Sequence, residues 1–338
     1  MSATASTDAS GSVSSAVRSG AAPRHRLWRL THGAGLIFGL YVLLYALYAY
    51  QQPRALDTYA IAALMNNTAP LALAAAGQTL VVLSRGFDLS IAGVISLSNV
   101  VLAVYPMEGP GGALLSMLLC LFIGGVVGVV NGWLVAYLRL QSIAATLATM
   151  IICQGIALVI LNAPGGAVSD WIADELTGRL WGVLPVSGVV VAAVVGLWLL
   201  MRRTNYGIAL YAIGADEPAA ALSGVNVRRT RFITFVGAGM LYGLAGMMLS
   251  AQTATGNPNS GTPLLLLSFA AVSLGGTSLN GGRGGLFASV MGAATLTLLQ
   301  KVLFSSGVSS FYTGLFQGVV LIVAVVFSGL LTRIGERK

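Results

Sequence analysis

Of 338 residues, 56% are hydrophobic and only 8% are charged, and the mean hydropathy is +0.85. A soluble domain uses about a quarter charged residues, so this composition excludes an ordinary soluble protein, and long continuous apolar runs exclude a barrel of short alternating strands. The net charge of +8 would suit nucleic acid, but the basic residues stand between apolar runs, where they report topology instead. No nucleic-acid partner is expected.

The chain opens with a Ser/Ala/Thr/Gly-rich stretch whose composition predicts disorder (residues 1–30), followed by a single transmembrane domain (31–332) and a short tail (333–338). Arg24, Arg26 and Arg29 precede the first apolar run, Gly33–Tyr50, in signal-peptide order. That run is long and aromatic and lacks a small-residue cleavage site, so it reads as a retained first membrane helix. Nine further spans are expected: Ala62–Leu83, Leu89–Tyr105, Ala113–Tyr137, Ser142–Leu161, Pro185–Met201, Phe232–Ala251, Leu264–Leu274, Leu286–Phe304 and Phe311–Leu331. The fold class is an all-α polytopic membrane protein of about ten helices. The third and eighth spans fall short of the ~20 residues a crossing needs and abut glycine-rich stretches, so both are expected to be broken or re-entrant.

With the N-terminus in the cytoplasm, the inside segments hold Arg18, Arg24, Arg26, Arg29, Arg85, Arg139, Arg202, Arg203, Arg228, Arg229, Arg231, Arg283, Arg333, Arg337 and Lys338. The outside segments hold only Arg54, Arg179 and Lys301. The bias supports both termini on the cytoplasmic side of the membrane. The external stretch Asn162–Leu184 carries Asp170, Asp174, Glu175, Trp171 and Trp181, which suit a helix lying at the outer headgroups. The chain also echoes itself: Arg85–Val104 and Gly281–Leu299 each place a glycine-containing break before a small-residue-rich span. Discontinuous elements at corresponding places point to a translocation pathway; the frequency of glycine in membrane helices explains the echo equally well.

Enzyme chemistry finds little footing. The only lysines, Lys301 and Lys338, lie outside any GxxxxGK[ST], so the chain has no P-loop. The only histidines, His25 and His32, sit at the first span's entrance, leaving no metal constellation and no Ser/His/Asp set. Cys120 and Cys153 fall inside apolar runs and read as small buried residues. No cofactor is expected on this chain.

Asp88, in SRGFDLS, is the one ionisable residue at the edge of a central span. Two roles stay open: a group lining or gating a pathway, or a cap, with Ser90, for the third span, with Arg85 as a local partner. The amides Asn66, Asn67, Gln78, Asn99, Asn131, Gln154 and Gln300 either bond between helices or face the pathway. Asn131 and Gln154 are carried as pathway candidates, together with Gly275, Gly276, Gly281 and Gly282 of the glycine-rich turn. The spacings Gly124/Gly128, Gly128/Gly132 and Gly239/Gly243 suit close helix approach. The polar loop 202–231 contains one helix candidate: Asp216 and Glu217 at its start, Pro218 in the first turn, Ala219–Leu222 as its body and Gly224 as its stop.

Taken together these stretches resemble the permease subunits of ribose-type ABC importers, which serve ribose, xylose, arabinose, galactose and related sugars. AAAGQTLVVLSRGFDLSIAG is similar to that family's loop ending in GGIDLSVG, and GVVGVVNGWLVAYLRLQSIAATLATMIICQGIAL to its NG…TLxTM…G stretch. TNYGIALYAIGADEPAAALSGV and AAVSLGGTSLNGGRGG complete the set, in the family's order. The resemblance implies a pair of permeases (two copies, or one with a sister subunit), a cytoplasmic ABC ATPase that uses the ATP, and an external solute-binding protein. It also implies that Gly214, Asp216, Glu217, Ala219, Ala220 and Gly224 belong to the helix that couples to the ATPase. The basic residues flanking that helix would meet acidic groups of the ATPase or lipid phosphates.

The chain departs from the family at Arg85, where glycine is usual, at Ala92 before Gly93, at the wholly apolar Leu264–Leu267 and at Gln141-Ser142, where a proline is usual. Which sugar passes is therefore open. The competing readings are a permease for branched-chain amino acids or nucleosides, and a self-sufficient secondary transporter or channel, for which the single central acid Asp88 is thin support.

Overall fold

The computed structural model describes residues 24–308 and, beyond them, 312, 315, 318, 319 and 322. The expected tenth span and both tails lie, wholly or in large part, outside the described residues. Helices occupy the expected spans: α1 (Arg24–Gln51), α2 (Thr58–Leu83), α3 (Ile91–Val104), α4 (Gly109–Ala136), α5 (Ser142–Ile160), α7 (Val186–Met201), α10 (Val227–Thr253), α11 (Thr262–Leu274) and α12 (Leu286–Ser305). Between them lie α6 (Asp170–Thr177), the hairpin β1 (Arg179–Leu180) and β2 (Leu184–Pro185), α8 (Asn205–Ala215) and α9 (Glu217–Leu222). The protein is an all-α polytopic membrane protein. Among the described residues five helices are long and apolar enough to cross a bilayer, or six if α7 and α8 count as one bent span.

The centre is α2, buried on every face from Thr68 to Leu83. Its LALAAAG run has little side-chain bulk, so α10, α12, α11 and α7 all pack against it. Gly77 leaves room for the ring of Tyr242, whose hydroxyl donates to Gln78 Oε1 at 3.0 Å. α10 pairs most closely with α4. A Cβ at Gly124 would overlap the backbone of Gly239, one at Gly128 that of Phe235 and Val236, and one at Gly243 that of Cys120. The GxxxG-like spacings thus serve one interface, in which two backbones meet without side chains between them. Cys120 and Cys153 are free and buried, as expected.

The loops gather at two ends. At one, Gly165 pairs with Gly256, Val168 N–H bonds Ala254 O, and Ser169 Oγ donates to Glu108. There too Arg179 reaches Thr58 and Ser305 reaches Gln51. The helix expected in 162–184 is α6, which buries Ile172; the hairpin after it was not expected, and its tip carries the exposed Trp181. At the other end lie 84–90, 137–141, 202–226 and 275–285, joined by the contacts described below. α3 and α11 connect the two ends with 14 and 13 residues, about 21 Å and 20 Å at 1.5 Å per residue, shorter than a hydrocarbon core of about 30 Å. A bend that was not expected lies between α7 and α8, which meet at 82° across residues 202–204.

Candidate functional site

Two clusters of polar groups stand next to each other at the second end. The first is buried. After α2 the chain turns through 84–90 before α3, and this turn is held by side chains from α5. Ser142 Oγ accepts from Phe87 N–H at 3.2 Å, and Thr146 Oγ1 from Leu89 N–H at 2.9 Å. Asp88, fully buried, accepts through Oδ1 from both the N–H and the hydroxyl of Ser90, at 2.9 and 2.6 Å. Ser90 Oγ in turn accepts from Asn131 Nδ2 at 2.9 Å, and Asn131 Oδ1 accepts from Thr149 Oγ1 at 2.8 Å. The chain Asp88–Ser90–Asn131–Thr149 therefore ties the turn to α4 and α5. Buried polar groups demand such partners; Asp88 Oδ2 is buried without one among the described residues, so the carboxylate holds the turn through Oδ1 alone.

This geometry corrects two expectations. Ser90 occupies the N-cap position of α3 but makes no capping bond there; its hydroxyl serves Asp88 and Asn131, and Asp88 folds the turn ahead of the helix instead of capping it. Arg85 does not pair with Asp88. Its side chain points away, donating Nε to Gly214 O at 2.9 Å and Asn280 O at 3.1 Å, and Nη2 to Ala215 O at 2.7 Å.

Those bonds define the second cluster, where three segments touch. Gly214 lies against Leu83 O and the backbone of Gly282, leaving no space for a Cβ. Gly282 N–H donates to Leu83 O at 3.1 Å. Gly281 and Gly282 both take left-handed backbone, with φ of 83° and 68°, which glycine alone adopts without penalty. Tyr211 Oη donates to Gly284 O at 2.9 Å. Gly275 packs on Ala288 and Ser289, while Gly276 faces open space. Gln154 stands apart from both clusters, bonded to Thr262 Oγ1 at 3.1 Å. The remaining amides bond mainly across helices: Asn66 to Thr177 O and Ser187, Gln252 to Asn67, and Asn99 to Ser250 and Thr255.

From this junction projects α9. Asp216 is its N-cap, its carboxylate accepting from Ala219 N–H at 3.0 Å, and Pro218 stands in the first turn. Gly224 ends it with φ 85°, the left-handed stop that favours glycine. These are the punctuation marks read from the sequence. Glu217 holds Arg231 of α10 in a two-pronged pair at 3.0 and 2.6 Å, and Arg231 also reaches Ser84 O at 3.5 Å. Arg231, expected to be available to a partner, is thus occupied within the chain. Ala220 is buried, whereas Leu222 is 91% exposed. α8, unforeseen in the sequence reading, carries this unit, with Tyr206 Oη and Thr234 Oγ1 3.0 Å apart.

Arg85, Thr146, Thr149 and Ser142 were not singled out as site residues. The available signal was the RG pair after α2: Arg85 has φ 61°, at the position where glycine is usual in the family it resembles. Arg231 lies 14 residues from Glu217, and no local pattern joins them.

Helices packed as described, with loops collected at two ends, define a polytopic membrane protein. Residues 60–325 match the family described as the branched-chain amino acid transport system / permease component. The ribose import permease protein RbsC of Bacillus subtilis (strain 168) is 35% identical over 295 residues, covering 86% of this chain and 91% of that one. RbsC of Escherichia coli (strain K12) is 33% identical over 271 residues, 78% and 83% of the two chains, and its L-arabinose transport system permease protein AraH is 31% identical over 264 residues, 75% and 78%. No solved structure matches. The chain belongs to this permease family, and the resemblance to ribose-type ABC importers holds.

Proposed function

We propose that this chain is the membrane-spanning subunit of an ABC importer for a monosaccharide, a pentose, hexose or similar polyol. Its pathway would be completed by a second copy or a sister permease, substrate would arrive from an external solute-binding protein, and a cytoplasmic ATPase would hydrolyse the ATP; this chain binds no cofactor in this reading. The sugar relatives support the substrate class over the amino acids in the family's description. We also read ten passes with both termini cytoplasmic, supported by the gathering of the arginine-bearing loops 84–90, 137–141, 202–226 and 275–285 at one end.

The observation that carries the mechanism is the pair of faces on α9. Leu222 offers an exposed apolar side chain on the polar loop, which suits a partner's groove, while Ala220 and Glu217 fasten the helix to the membrane body. A push on α9 would pass through Arg231 to α10, through Gly214 and Arg85 to the end of α2, and through Gly282 to the turn before α12. The buried network around Asp88 lies directly beyond, so the same displacement would reach α3, α4 and α5. Rigid elements of this kind relay a movement between two packed arrangements.

The test is Leu222→Glu in the complete transporter. ATPase copurification is expected to fall by roughly thirtyfold, the effect of losing an interface anchor, with membrane insertion unchanged. Normal complex yield and normal uptake would remove the assignment. Sugar uptake by this chain alone, without an ATPase, would remove the importer reading as a whole.

A further inference from the structure

Beside the junction lies a cavity of about 670 Å³ whose lining includes Arg85, Arg139, Arg228, Arg231, Glu217 and Leu140. Four arginines face one carboxylate, and that carboxylate is already paired with Arg231. Arg139 and Arg228 make no side-chain hydrogen bond or ion pair among the described residues.

The backbone adds an independent observation. Four non-glycine residues of the described chain have positive φ, and two of them, Arg85 at 61° and Arg139 at 57°, line this cavity. Arg139 follows the end of α4, where Leu140 N–H closes back onto Leu134 O. Glycine is the low-cost residue at such a helix stop. An arginine held there at a steric cost, with no partner in its own chain, is a charge kept for something outside the chain.

The surroundings indicate what that is. Trp133 and Tyr137, both about half-exposed, stand at the same end of α4, and Leu138 and Leu140 are exposed beside Arg139. Tyr137 meets Phe232 of α10 edge-on, with ring centroids 5.8 Å apart, one residue from Arg231. Tryptophan and tyrosine collect at the depth of lipid headgroups, which suits this end of α4, and the cavity beside it has apolar lining from Val135, Leu140 and Val225. Guanidinium forks bind phosphate oxygens two at a time. We propose that this cavity binds the phosphate of an anionic phospholipid, held chiefly by Arg139 and Arg228, with the acyl chains along the exposed apolar end of α4. An acidic side chain of a protein partner would use the same charges but not the apolar lining. The bound headgroup would lie against Arg231 and Arg85, the residues that fasten α9.

The test uses the full-length permease in detergent, with retained phosphatidylglycerol and phosphatidylcholine compared by native mass spectrometry. Wild type is expected to keep phosphatidylglycerol and release phosphatidylcholine. Arg139→Gly with Arg228→Gln is expected to lower phosphatidylglycerol retention roughly tenfold to thirtyfold. Because Arg139→Gly relaxes the backbone, its thermal midpoint should equal or exceed that of wild type, which separates lost binding from lost folding. Equal retention of the two lipids, or unchanged phosphatidylglycerol binding in the variant, would overturn the proposal. Displacement of the lipid by millimolar inorganic phosphate would reassign the site to a soluble anion. Loss of ATPase copurification with lipid retention intact would reassign it to an acidic surface of the partner.

Discussion

The two clusters at this end of the molecule are built from opposite materials. Around Asp88, side chains do the work: Ser90, Asn131, Thr149 and Thr146 are all buried, and each bonds a neighbour on another segment. At the junction below α9, backbones do it: Gly214, Gly281 and Gly282 bring three segments into contact, and Arg85 clasps carbonyl oxygens. The first arrangement locks helices against one another in a medium that offers no water to replace a lost bond. The second lets three loops bear on one another at an interface, where a partner's movement would have to enter. A network resists substitution by chemistry; a glycine contact resists it by volume.

The comparison is broken most severely by adding volume at the junction. Gly214→Val places side-chain atoms where Leu83 O and Gly282 now lie, and overpacking of this kind costs about 1–3 kcal/mol. ATP-driven uptake in proteoliposomes is expected to vanish while circular dichroism keeps its helical signal. Next comes Asn131→Leu, which removes the amide that joins Ser90 to Thr149. Ser90 keeps Asp88 and Thr149 keeps Thr146 O, but two buried bonds between segments are lost at about 0.5–1.5 kcal/mol each, so thermal unfolding should move down. ATP-driven uptake should fall with it, because this network lies on the path by which a displacement of α9 would reach α3, α4 and α5.

Glu217→Gln is a smaller change of the opposite kind. The pair it breaks is partly exposed and contributes at most about 1 kcal/mol, so the melting temperature should barely move. ATP consumed per sugar should rise, and the exchange Glu217→Arg with Arg231→Glu should restore it in part. Gln154→Ala, at a residue outside both clusters, should change stability by no more than about 0.5 kcal/mol and leave uptake intact.

Much of the fold was legible because long apolar runs have one stable form in a bilayer, and all nine spans that fall on described residues became helices. The α9 punctuation was legible for the same reason: Asp216, Pro218 and Gly224 act within a few residues of themselves. What escaped was non-local. Arg231 finds Glu217 across 14 residues, and Arg85 finds Gly214 across 129; nothing in the composition of either segment names its partner. α8 escaped because NYGIALYAIGA follows the charged turn after α7 and reads as part of a polar loop, yet it buries Leu210 and Ile213 against the body. Asp88 was noticed as an ionisable residue at the edge of an apolar span, and its burial came only with the structure; the local partner considered for it, Arg85, turns instead to the carbonyls of Gly214, Ala215 and Asn280.

The central claim is that α9 is where an ATPase drives this permease, and cross-linking from a cysteine at Leu222 tests it most directly. Both native cysteines are buried, so the introduced thiol stands alone at the surface. The account predicts that Leu222→Cys forms a single covalent adduct with the ATPase in the assembled transporter, and that sealing this adduct stops ATP-driven uptake. A thiol reagent that reaches this cysteine as freely in the complete transporter as in the isolated permease would contradict it.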